Sequence, residues 1–292
     1  MSPYLSSWQQ EKIQSLMIEA GQKAKQLASQ EFEVFEKGFE DYVTNVDRLL
    51  DQMLASGFAA LFPDDGVITE ENTASRQVFD TKQSRLWLID PIDGTEDFIH
   101  HRQNYAVMAG LLQDYQPVLG WIYAPTHQKF YWGGADWGLF RAIAAEPSEP
   151  LLPKMAELEP QRCTIILGDR DQRRFGQAIA EQIPTVQFYS LGSFGLKVME
   201  VLQGRAGLYV YLNGRVKLWD TTGPIALARA AGLTCCDLTG APLSFSPAQI
   251  EPKTLSHRQS IVIGWPDCVS ALRPQLQQAV TRVLRAEAQA KL

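Results

Sequence analysis

The sequence is poor in the residues that build soft-metal sites and disulfide frameworks. Only four of its 292 residues are cysteine and four are histidine, and no paired CxxC knuckle or suitably placed histidine completes a zinc site. Two of the cysteines are adjacent in the segment GLTCCDLTG, which is typical of a buried strand. We therefore predict reduced, packing cysteines in a cytoplasmic protein: Cys163, Cys235, Cys236 and Cys268.

Long apolar runs and basic runs are also missing. No segment approaches the roughly 20 apolar residues of a membrane span, and the N-terminal segment lacks the basic start and apolar centre of a signal peptide, so we expect neither an anchor nor a leader. The net charge is −6, and lysine and arginine are scattered without a cluster. This charge pattern argues against a surface that coats a nucleic acid polymer or an anionic membrane.

The overall amino-acid composition is typical of a globular protein. The chain is 45% hydrophobic and 21% charged, which suffices for one large core or two smaller ones. Apolar residues at helical spacing predict two amphipathic helices, around residues 13–27 and 46–62. From residue 66 to 141, short runs such as GVIT, RLWLID and YAVMAGLL predict an antiparallel sheet. Beyond this region, strand-like and helix-like segments alternate, which predicts a layered α/β half.

A proline-rich segment separates the strand-rich region from the region in which strands and helices alternate. Residues 144–161, AAEPSEPLLPKMAELEPQ, contain four prolines and no clear helical or strand period. We therefore predict two domains. Residues 1–150 would form an α+β domain, and residues 151–292 would form an α/β domain.

One apolar, strand-like segment runs directly into two acids. RLWLIDPIDGTEDF, residues 85–98, places Asp90 and Asp93 three positions apart. Two like charges about 4 Å apart repel by about 4 kcal/mol at an effective dielectric near 20, so such a pair needs protons or cations. Mg²⁺ prefers oxygen ligands and is usually held by a few carboxylates together with substrate phosphate. Gly94 permits close backbone approach, and Thr95 is placed to cap a short helix. The alternative is an ordinary Asp-Pro-x-Asp-Gly turn.

Further acids follow apolar runs elsewhere in the chain. GVITEEN carries Glu70 and Glu71 at a strand end, and VKLWD ends in Asp220 ahead of a helix-like segment. Each of these acids alone is more often solvated or a helix cap. Together with DPIDGT, they predict one carboxylate-rich site that binds hard divalent cations.

Three segments resemble, in order and spacing, the three motifs of the inositol monophosphatase family: GVITEEN, WLIDPIDGTEDF and LWDTTGPIALARAAG. Members of this family are Mg²⁺-dependent and often lithium-sensitive phosphatases. Upstream, KGFEDYVTNVD is similar to the family's Lys-Gly…Val-Thr-x-x-Asp segment, so the resemblance covers most of residues 37–240. The resemblance implies a layered α/β/α/β/α sandwich of the inositol monophosphatase type, with mixed α+β and α/β character. It also implies a metal-dependent phosphoric monoester hydrolase, with a homodimer as a common assembly.

The resemblance further implies a role for each matching residue. The expected ligands of two or three Mg²⁺ ions all offer oxygen: Glu70, Asp90, the main-chain carbonyl of Ile92, Asp93 and Asp220. Among these, Asp90 resembles the ligand that bridges two ions. The residues that resemble the group that orients and deprotonates the attacking water are Asp47, Glu70 and Thr95. The backbone amides of Gly94 and Thr95 are expected to hold the phosphoryl group.

A second segment points to the substrate. LGSFGLKVMEVLQG resembles the Gly-Ser-x-x-Leu-Lys segment of the bisphosphate nucleotidase branch, which removes a phosphate from 3'-phosphoadenosine 5'-phosphate. The resemblance implies that Lys197 contacts a substrate phosphate and that Gly192 and Ser193 line the approach. The alternative is a lysine that snorkels from an amphipathic helix. GDRDQRRF, residues 168–175, carries arginines that reach a second phosphate or simply begin a solvated helix.

The chain departs from the family pattern at positions near the substrate. Asn213 stands where an acid commonly contacts the ring hydroxyls of inositol phosphates, and Gly207 stands where an aspartate is common. Thr221 and Thr222 replace small residues, so we expect them to narrow the approach of the substrate or to add hydroxyl contacts.

Together, these resemblances imply a Mg²⁺-dependent phosphomonoesterase that acts on a small phosphorylated metabolite, namely a 3'(2'),5'-bisphosphate nucleotidase. Phosphatases of inositol 1-phosphate, histidinol phosphate or fructose 1,6-bisphosphate are alternatives with the same chemistry. A non-catalytic scaffold or regulatory member of the family is an alternative of a different class.

Overall fold

The structure, a computed structural model, describes residues 2, 4–38, 41–80, 83–156 and 163–290. Its α-helices are α1 (Ser7–Leu27), α2 (Asn45–Leu61), α3 (Thr95–Ile99), α4 (Asp169–Gln182), α5 (Phe194–Leu202), α6 (Leu218–Ala230) and α7 (Pro266–Gln289). Its strands are β1 (Val34–Gly38), β2 (Asp41–Thr44), β3 (Gly66–Thr69), β4 (Arg85–Asp93), β5 (Ala106–Gln113), β6 (Gln116–Ala124), β7 (Lys129–Gly134), β8 (Gly138–Ile143), β9 (Glu149–Pro150), β10 (Cys163–Leu167), β11 (Val186–Tyr189), β12 (Leu208–Tyr211), β13 (Thr234–Cys236) and β14 (Ile261–Gly264). The two helices predicted near the N-terminus are α1 and α2, and the three strand-like runs quoted above are β3, β4 and β5.

Seven strands form the larger sheet, in the order β3-β4-β5-β6-β7-β8-β9. β3 pairs in parallel with β4, whereas each of the other pairs is antiparallel. Thr69 lies opposite Ile89 in the parallel pair, so the carboxyl ends of β3 and β4 reach the same edge of the sheet. The predicted antiparallel sheet is therefore confirmed except for this first pair.

Five strands form the smaller sheet, in the order β11-β10-β12-β14-β13. β10 pairs in parallel with β11 and β12, and β14 pairs antiparallel with β12 and β13. Parallel neighbours need a crossover connection, and α4 and α5 supply the two connections here. The predicted alternation of strands and helices in the second half is confirmed. A separate hairpin, β1-β2, lies between α1 and α2 in the chain.

Three buried clusters define five layers. The first lies between α1, α2 and the larger sheet, where Met17 and Trp87 are packed. The second lies between the sheets and joins Leu88 of the larger sheet to Ile225 of α6 and Ile263 of the smaller sheet. The third lies between the smaller sheet and the outer helices α4 and α7. The order is helices, sheet, helices, sheet, helices, so the expected α/β/α/β/α sandwich is confirmed.

Helix α6 lies very close to the larger sheet because three glycines face one another. A methyl group on Gly120 would lie 2.1 Å from the carbonyl oxygen of Gly223. A methyl group on Gly110 would lie 2.3 Å from the amide nitrogen of Gly223. Residues without a Cβ therefore permit this approach. The close packing fixes the first turn of α6, which carries Asp220.

The proline-rich segment begins at the edge of the larger sheet. The sheet ends with β9, within residues 144–161, and residues 157–161 of that segment lie outside the described residues. The cluster between the sheets draws side chains from both halves of the chain, so α5 and α6 cover the inner face of the first half's sheet. The division into residues 1–150 and 151–292 stays a prediction.

The cysteines pack in the interior, as predicted. All four are buried free thiols. Burial raises the pKa of Cys163 to about 11 and that of Cys235 to about 12, so both remain protonated. Cys235 and Cys236 lie on β13, which confirms the predicted buried strand.

The long helices are amphipathic rather than apolar throughout. α1 buries Ile13, Met17 and Ala20 on one face, while Trp8 on the same helix is exposed. At the far end of α7, Glu287 pairs with Arg174 of α4 at the surface. Within the described ranges, no helix combines the length and the apolar character needed to cross a bilayer.

Candidate active site

Parallel pairing of β3 and β4 brings acids from two sequence motifs to one edge of the sheet. Glu70 follows β3, and its N–H donates to the carbonyl of Ile89 at 3.2 Å. The ladder from β4 to β5 shifts register between Asp90 and Asp93. There, the Asp90 carboxylate accepts from the N–H of Ile92 at 2.9 Å. The DPIDGT motif is therefore a bulged strand end that turns its acids toward Glu70, rather than a free surface turn.

The first turn of α6 adds a third acid to this edge. Asp220 accepts the backbone N–H of Lys217 with its Oδ2 atom at 2.7 Å, which holds its side chain at the start of the helix. Carboxylate oxygens of Glu70, Asp90 and Asp220 all lie within 4.8 Å of one another. Asp90 is almost completely buried, and the other two are partly buried. We call Glu70, Asp90 and Asp220 the carboxylate cluster.

The members of the carboxylate cluster perturb one another. Burial raises the pKa of Asp90 well above its usual value, and the charges of Glu70, Asp93 and Asp220 add to this effect. Burial and the charge of Glu70 also raise the pKa of Asp220, to about 7. Asp90 and Asp220 are therefore harder to ionise than ordinary aspartates, because the negative charges of the cluster are not fully compensated.

Two lysines compensate part of the charge of Glu70. Lys37 of β1 donates to Oε1 of Glu70 at 3.0 Å and to Oε1 of Glu71 at 2.8 Å. Nζ of Lys217 lies 3.9 Å from Oε1 of Glu70. Burial alone would raise the pKa of Glu70, but these two ammonium groups outweigh it and lower that pKa. Glu70 is therefore the member of the cluster that stays ionised most readily.

The chemistry of the carboxylate cluster fits a hard divalent cation. Its three side chains offer carboxylate oxygens, and neither thiol nor imidazole belongs to the group. Mg²⁺ binds such oxygens and usually completes its shell with water and substrate phosphate. A cation at this position would supply the positive charge that the carboxylates of Asp90 and Asp220 lack. The residues present therefore fit Mg²⁺.

Asp93 lies beside the cluster, but its carboxylate also holds the start of α5. It accepts from the N–H groups of Phe194 at 3.0 Å and Gly195 at 2.9 Å, and from the hydroxyl of Ser193. Carboxylate oxygens can accept further ligands, so these bonds leave room for an ion. The metal-ligand roles expected of Asp93 and of the Ile92 carbonyl stay predictions. The contacts do join DPIDGT to the Gly-Ser-x-x-Leu-Lys segment.

The hydroxyl of Thr95 lies between two acceptors. It is 3.3 Å from Oδ1 of Asp47 and 3.2 Å from the carbonyl oxygen of Ile92. Asp47 is buried, and its Oδ2 atom accepts the N–H of Thr44 at 2.8 Å. Burial raises the pKa of Asp47 to about 6, although the hydrogen bonds from Thr44 oppose this shift. The pair is thus close to the ionisation range that a base needs near neutral pH.

The prediction that Thr95 caps the short helix after β4 is wrong. Gly94, with a φ of +95°, is the N-cap residue of α3, and Thr95 is its first helical residue. Only glycine adopts this left-handed conformation without strain. The hydroxyl of Thr95 is consequently free of a capping role and can face Asp47.

A family model described as the inositol monophosphatase family matches residues 6–284 of the chain. The chain belongs to the inositol monophosphatase family. The membership predicted from the three motifs is confirmed, and with it the phosphatase class, because members of this family are phosphatases. The family is Mg²⁺-dependent in general, and the carboxylate cluster offers a group that could bind this metal.

The individual relatives differ in the substrates that their names give. The 3'(2'),5'-bisphosphate nucleotidase CysQ of Escherichia coli K12 is 30% identical over 223 residues, which are 74% of this chain and 85% of that protein. A fructose-1,6-bisphosphatase/inositol-1-monophosphatase of Aquifex aeolicus is 27% identical over 204 residues, which are 68% and 72% of the two proteins. The solved structure of inositol monophosphatase II from Staphylococcus aureus has a TM-score of 0.74 at 21% identity and covers 97% of this chain and 99% of that chain. That similarity shows the fold.

Beyond the carboxylate cluster, the inositol monophosphatase fold opens into a cleft of about 400 Å³, which Glu70 also lines. The substrate residues expected from the sequence that line this cleft are Gly94, Thr95, Gly192, Lys197 and Asn213. Ser193, in contrast, has no exposed surface, and its hydroxyl donates a hydrogen bond to the carboxylate of Asp93. Nζ of Lys197 donates to the carbonyl of Gly192 at 3.2 Å, so the head group is held at the cleft and does not snorkel into bulk solvent.

The structure adds residues that the family motifs do not indicate. Arg170 and Tyr211 line the same cleft, and Lys217 lines an adjoining cavity of about 210 Å³. Of the arginines in residues 168–175, Arg170 reaches the cleft, whereas Arg174 pairs with α7. The position of Lys217, three residues before Asp220, is the sequence signal that could have identified it, because helix N-cap residues contact the third residue of the helix.

The expectation that Thr221 and Thr222 shape the substrate approach is wrong. Both threonines are fully buried. The hydroxyl of Thr222 donates to the carbonyl of Leu218 at 2.8 Å, and that of Thr221 contacts Nε2 of His257 at 2.8 Å. Both threonines therefore face the core, where their hydroxyls stabilise the helix that carries Asp220.

Proposed function

We propose that this phosphatase hydrolyses a bisphosphorylated nucleotide, 3'-phosphoadenosine 5'-phosphate, as a Mg²⁺-dependent 3'(2'),5'-bisphosphate nucleotidase. One observation carries the proposal: the cleft that contains Glu70 of the carboxylate cluster also contains Lys197 and Arg170. One phosphate can therefore lie at the cluster while cationic side chains face a second anionic group. The named activity of the CysQ relatives supports the same substrate.

The carboxylate cluster would hold the metal. Glu70, Asp90 and Asp220 are the proposed ligands, with Asp93 and the carbonyl of Ile92 completing the set for two or three ions. Bound Mg²⁺ neutralises phosphate charge and makes water a stronger nucleophile near neutral pH. The residues of the chain fix where that chemistry takes place, because β3, β4 and α6 hold the oxygens before any ion arrives.

Thr95 and Asp47 would handle the proton of the attacking water. The Thr95 hydroxyl accepts a hydrogen bond from the water and donates its own proton toward Oδ1 of Asp47, 3.3 Å away. Asp47 has a pKa raised to about 6 by burial, so it is ionised at neutral pH yet basic enough to share a proton. Glu70, at the end of β3, completes this proposed group. The amides of Gly94 and Thr95 would hold the phosphoryl oxygens as charge builds up.

Lys197 would select the second phosphate. Its ammonium group is buried beside the cleft and donates to the carbonyl of Gly192, so little side-chain freedom is lost when an anion binds. Gly192 would shape the approach, and Asn213 would contact a sugar hydroxyl. Inositol 1-phosphate, histidinol phosphate and fructose 1,6-bisphosphate are the competing substrates. The activity named for the Aquifex relative keeps the first and third of these in the test.

Release of inorganic phosphate tests the proposal directly. The four candidate esters are compared at equal concentration with Mg²⁺ and with a chelator, using the unsubstituted protein, Lys197→Met and the control Lys12→Met, whose exposed lysine lies on α1. We expect Mg²⁺-dependent preference for the adenosine bisphosphate. Lys197→Met should raise KM for that ester about tenfold and change KM little for inositol 1-phosphate.

Other outcomes have defined meanings. Preference for another ester would contradict the nucleotidase assignment and keep the metal site. No release from any ester would favour a non-catalytic scaffold or regulatory role. We further propose that the protein works in the cytoplasm and that it forms a homodimer. Sedimentation analysis of the purified chain tests the oligomeric state.

A further inference from the structure

Lys217 precedes α6 and places its side chain beside the carboxylate cluster. Its Nζ atom lies 3.9 Å from Oε1 of Glu70 and 3.8 Å from Oδ2 of Asp41. The same atom lies 5.5 Å from the centre of the Trp219 ring. The helix that carries Asp220 therefore also holds a positive charge next to the proposed ligands.

Charge rather than hydrogen bonding holds this ammonium group. Both carboxylate distances exceed the length of a hydrogen bond. Lys37 differs, because it donates to Glu70 and Glu71 at 3.0 and 2.8 Å. Lys217 also lines the cavity of about 210 Å³ that contains Asp220 and Asp93. Its ammonium group is thus part of the wall around the centre, and it competes with any other cation for Glu70.

The backbone of Lys217 has a separate role. Its N–H donates to Oδ2 of Asp220 at 2.7 Å and so holds that carboxylate at the helix start. Substitution of the side chain leaves this main-chain bond in place. The charge of Lys217 can therefore be removed while the cap of α6 is kept.

We propose that Lys217 is a fixed cation of the metal centre that weakens the binding of Mg²⁺. The inference rests on the proposed function, because it takes Glu70, Asp90 and Asp220 as the ligands. Without metal, the ammonium group neutralises part of the charge of Glu70. With metal, the same group repels the divalent cation. Both effects favour the metal-free centre, so Lys217 makes the ion easier to release.

The size of the effect follows from the partial exposure of Lys217. Exposed ion pairs contribute little to stability, whereas loss of one partner of a fully buried pair has a large effect. The Lys217 side chain is 21% exposed and lies between these cases. We expect removal of its charge to tighten Mg²⁺ binding about tenfold.

Calorimetric titration of MgCl₂ into the metal-free full chain tests the inference. The unsubstituted protein is compared with Lys217→Met, with Lys217→Arg, which keeps the charge, and with the control Lys12→Met, whose exposed lysine lies on α1. We expect Lys217→Met to bind Mg²⁺ about tenfold more tightly, and the other two to bind as the unsubstituted protein does. Equal or weaker binding by Lys217→Met would overturn the inference, and so would equal tightening by Lys217→Arg.

Thermal unfolding supplies a second readout that needs no turnover. In chelator, Lys217→Met should unfold at a lower temperature than the unsubstituted protein, because Glu70 loses a counter-charge. Added Mg²⁺ should raise the unfolding temperature of Lys217→Met by more than it raises that of the unsubstituted protein. An unchanged gain would overturn the inference. If Lys217→Met does not fold, Lys217→Gln takes its place in both measurements.

The two levels of proposal fail in different ways. If the unsubstituted protein binds no Mg²⁺, the metal centre is wrong, and the inference about Lys217 falls with the proposed function. If it binds Mg²⁺ and releases phosphate while Lys217→Met binds the ion no more tightly, only the inference about Lys217 is wrong.

Discussion

Gly120→Ala should separate α6 from the larger sheet and disable the proposed metal centre in the same step. The added methyl group would lie 2.1 Å from the carbonyl oxygen of Gly223. Carbon and oxygen atoms that are not bonded stay about 3.3 Å apart even in close contacts. The new Cβ atom is bonded to the backbone, and the oxygen atom is part of the backbone, so neither can turn away as a flexible side chain would. The helix must therefore move by about 1 Å.

This displacement has a cost in stability and a cost in activity. Extra methyl groups in a packed core typically destabilise a protein by about 1–3 kcal/mol, and a rigid backbone contact favours the upper end of this range. Asp220 lies one helical turn before Gly223, so it moves with the helix. A misplacement of about 1 Å in a catalytic site can lower the rate about 100-fold.

The control for this prediction is Gly176→Ala in α4. The nearest atom to its added methyl group is Cγ of Gln172 at 3.1 Å, the flexible part of a side chain. Alanine is the better helix former by about 1 kcal/mol, so this variant should be as stable as the unsubstituted protein or more stable. Urea unfolding and phosphate release at saturating Mg²⁺ measure both variants. Unchanged stability and activity in Gly120→Ala would refute the argument from close packing.

Three further predictions concern single groups. Asp47→Asn should lower kcat by about 10²–10⁴-fold with little change in KM, because it removes the proposed proton acceptor; equal kcat would exclude that role. Burial lowers the pKa of His257 to about 3, so the unfolded state binds a proton that the folded state does not, and the free energy of unfolding should fall by about 1.4 kcal/mol per pH unit below pH 6. His257→Gln should flatten this slope in urea unfolding between pH 4 and 7, and an identical slope would contradict the assignment. Mg²⁺ at 100 times its Kd should raise the free energy of unfolding by about 2.7 kcal/mol, and Asp220→Asn should lose most of this gain in thermal unfolding with and without chelator.

Strong local patterns predicted the elements of the fold. The apolar run before Asp90 predicted β4, and residues 46–62 predicted α2 to within one residue at each end. Such segments bury one face or both faces of a regular element, so the period of their apolar residues reports the element directly. The parallel pairing of β3 with β4 was not predicted, because pairing depends on which strands the rest of the chain brings together.

The acids of the candidate site were predicted from the sequence, but some of their contacts were not. The motifs indicated that Glu70, Asp90 and Asp220 share one site, although Asp220 is distant from the others in sequence, and the structure brings their oxygens within 4.8 Å of one another. The motifs did not indicate that Lys217 would stand beside Glu70, or that Asp93 would hold the start of α5. Those contacts depend on the direction of individual side chains.

The sequence by itself determined the family, the layered architecture and the acids of the carboxylate cluster, because motif spacing and apolar period are properties of the chain order. Only the tertiary structure decided which side chains of α6 meet the carboxylate cluster and which meet the core. Its approach to the sheet through Gly110, Gly120 and Gly223 turns Thr221 inward and leaves Asp220 at the cluster. The physical reason is that a side chain's role depends on the neighbours that packing supplies, and distant segments of the chain supply those neighbours.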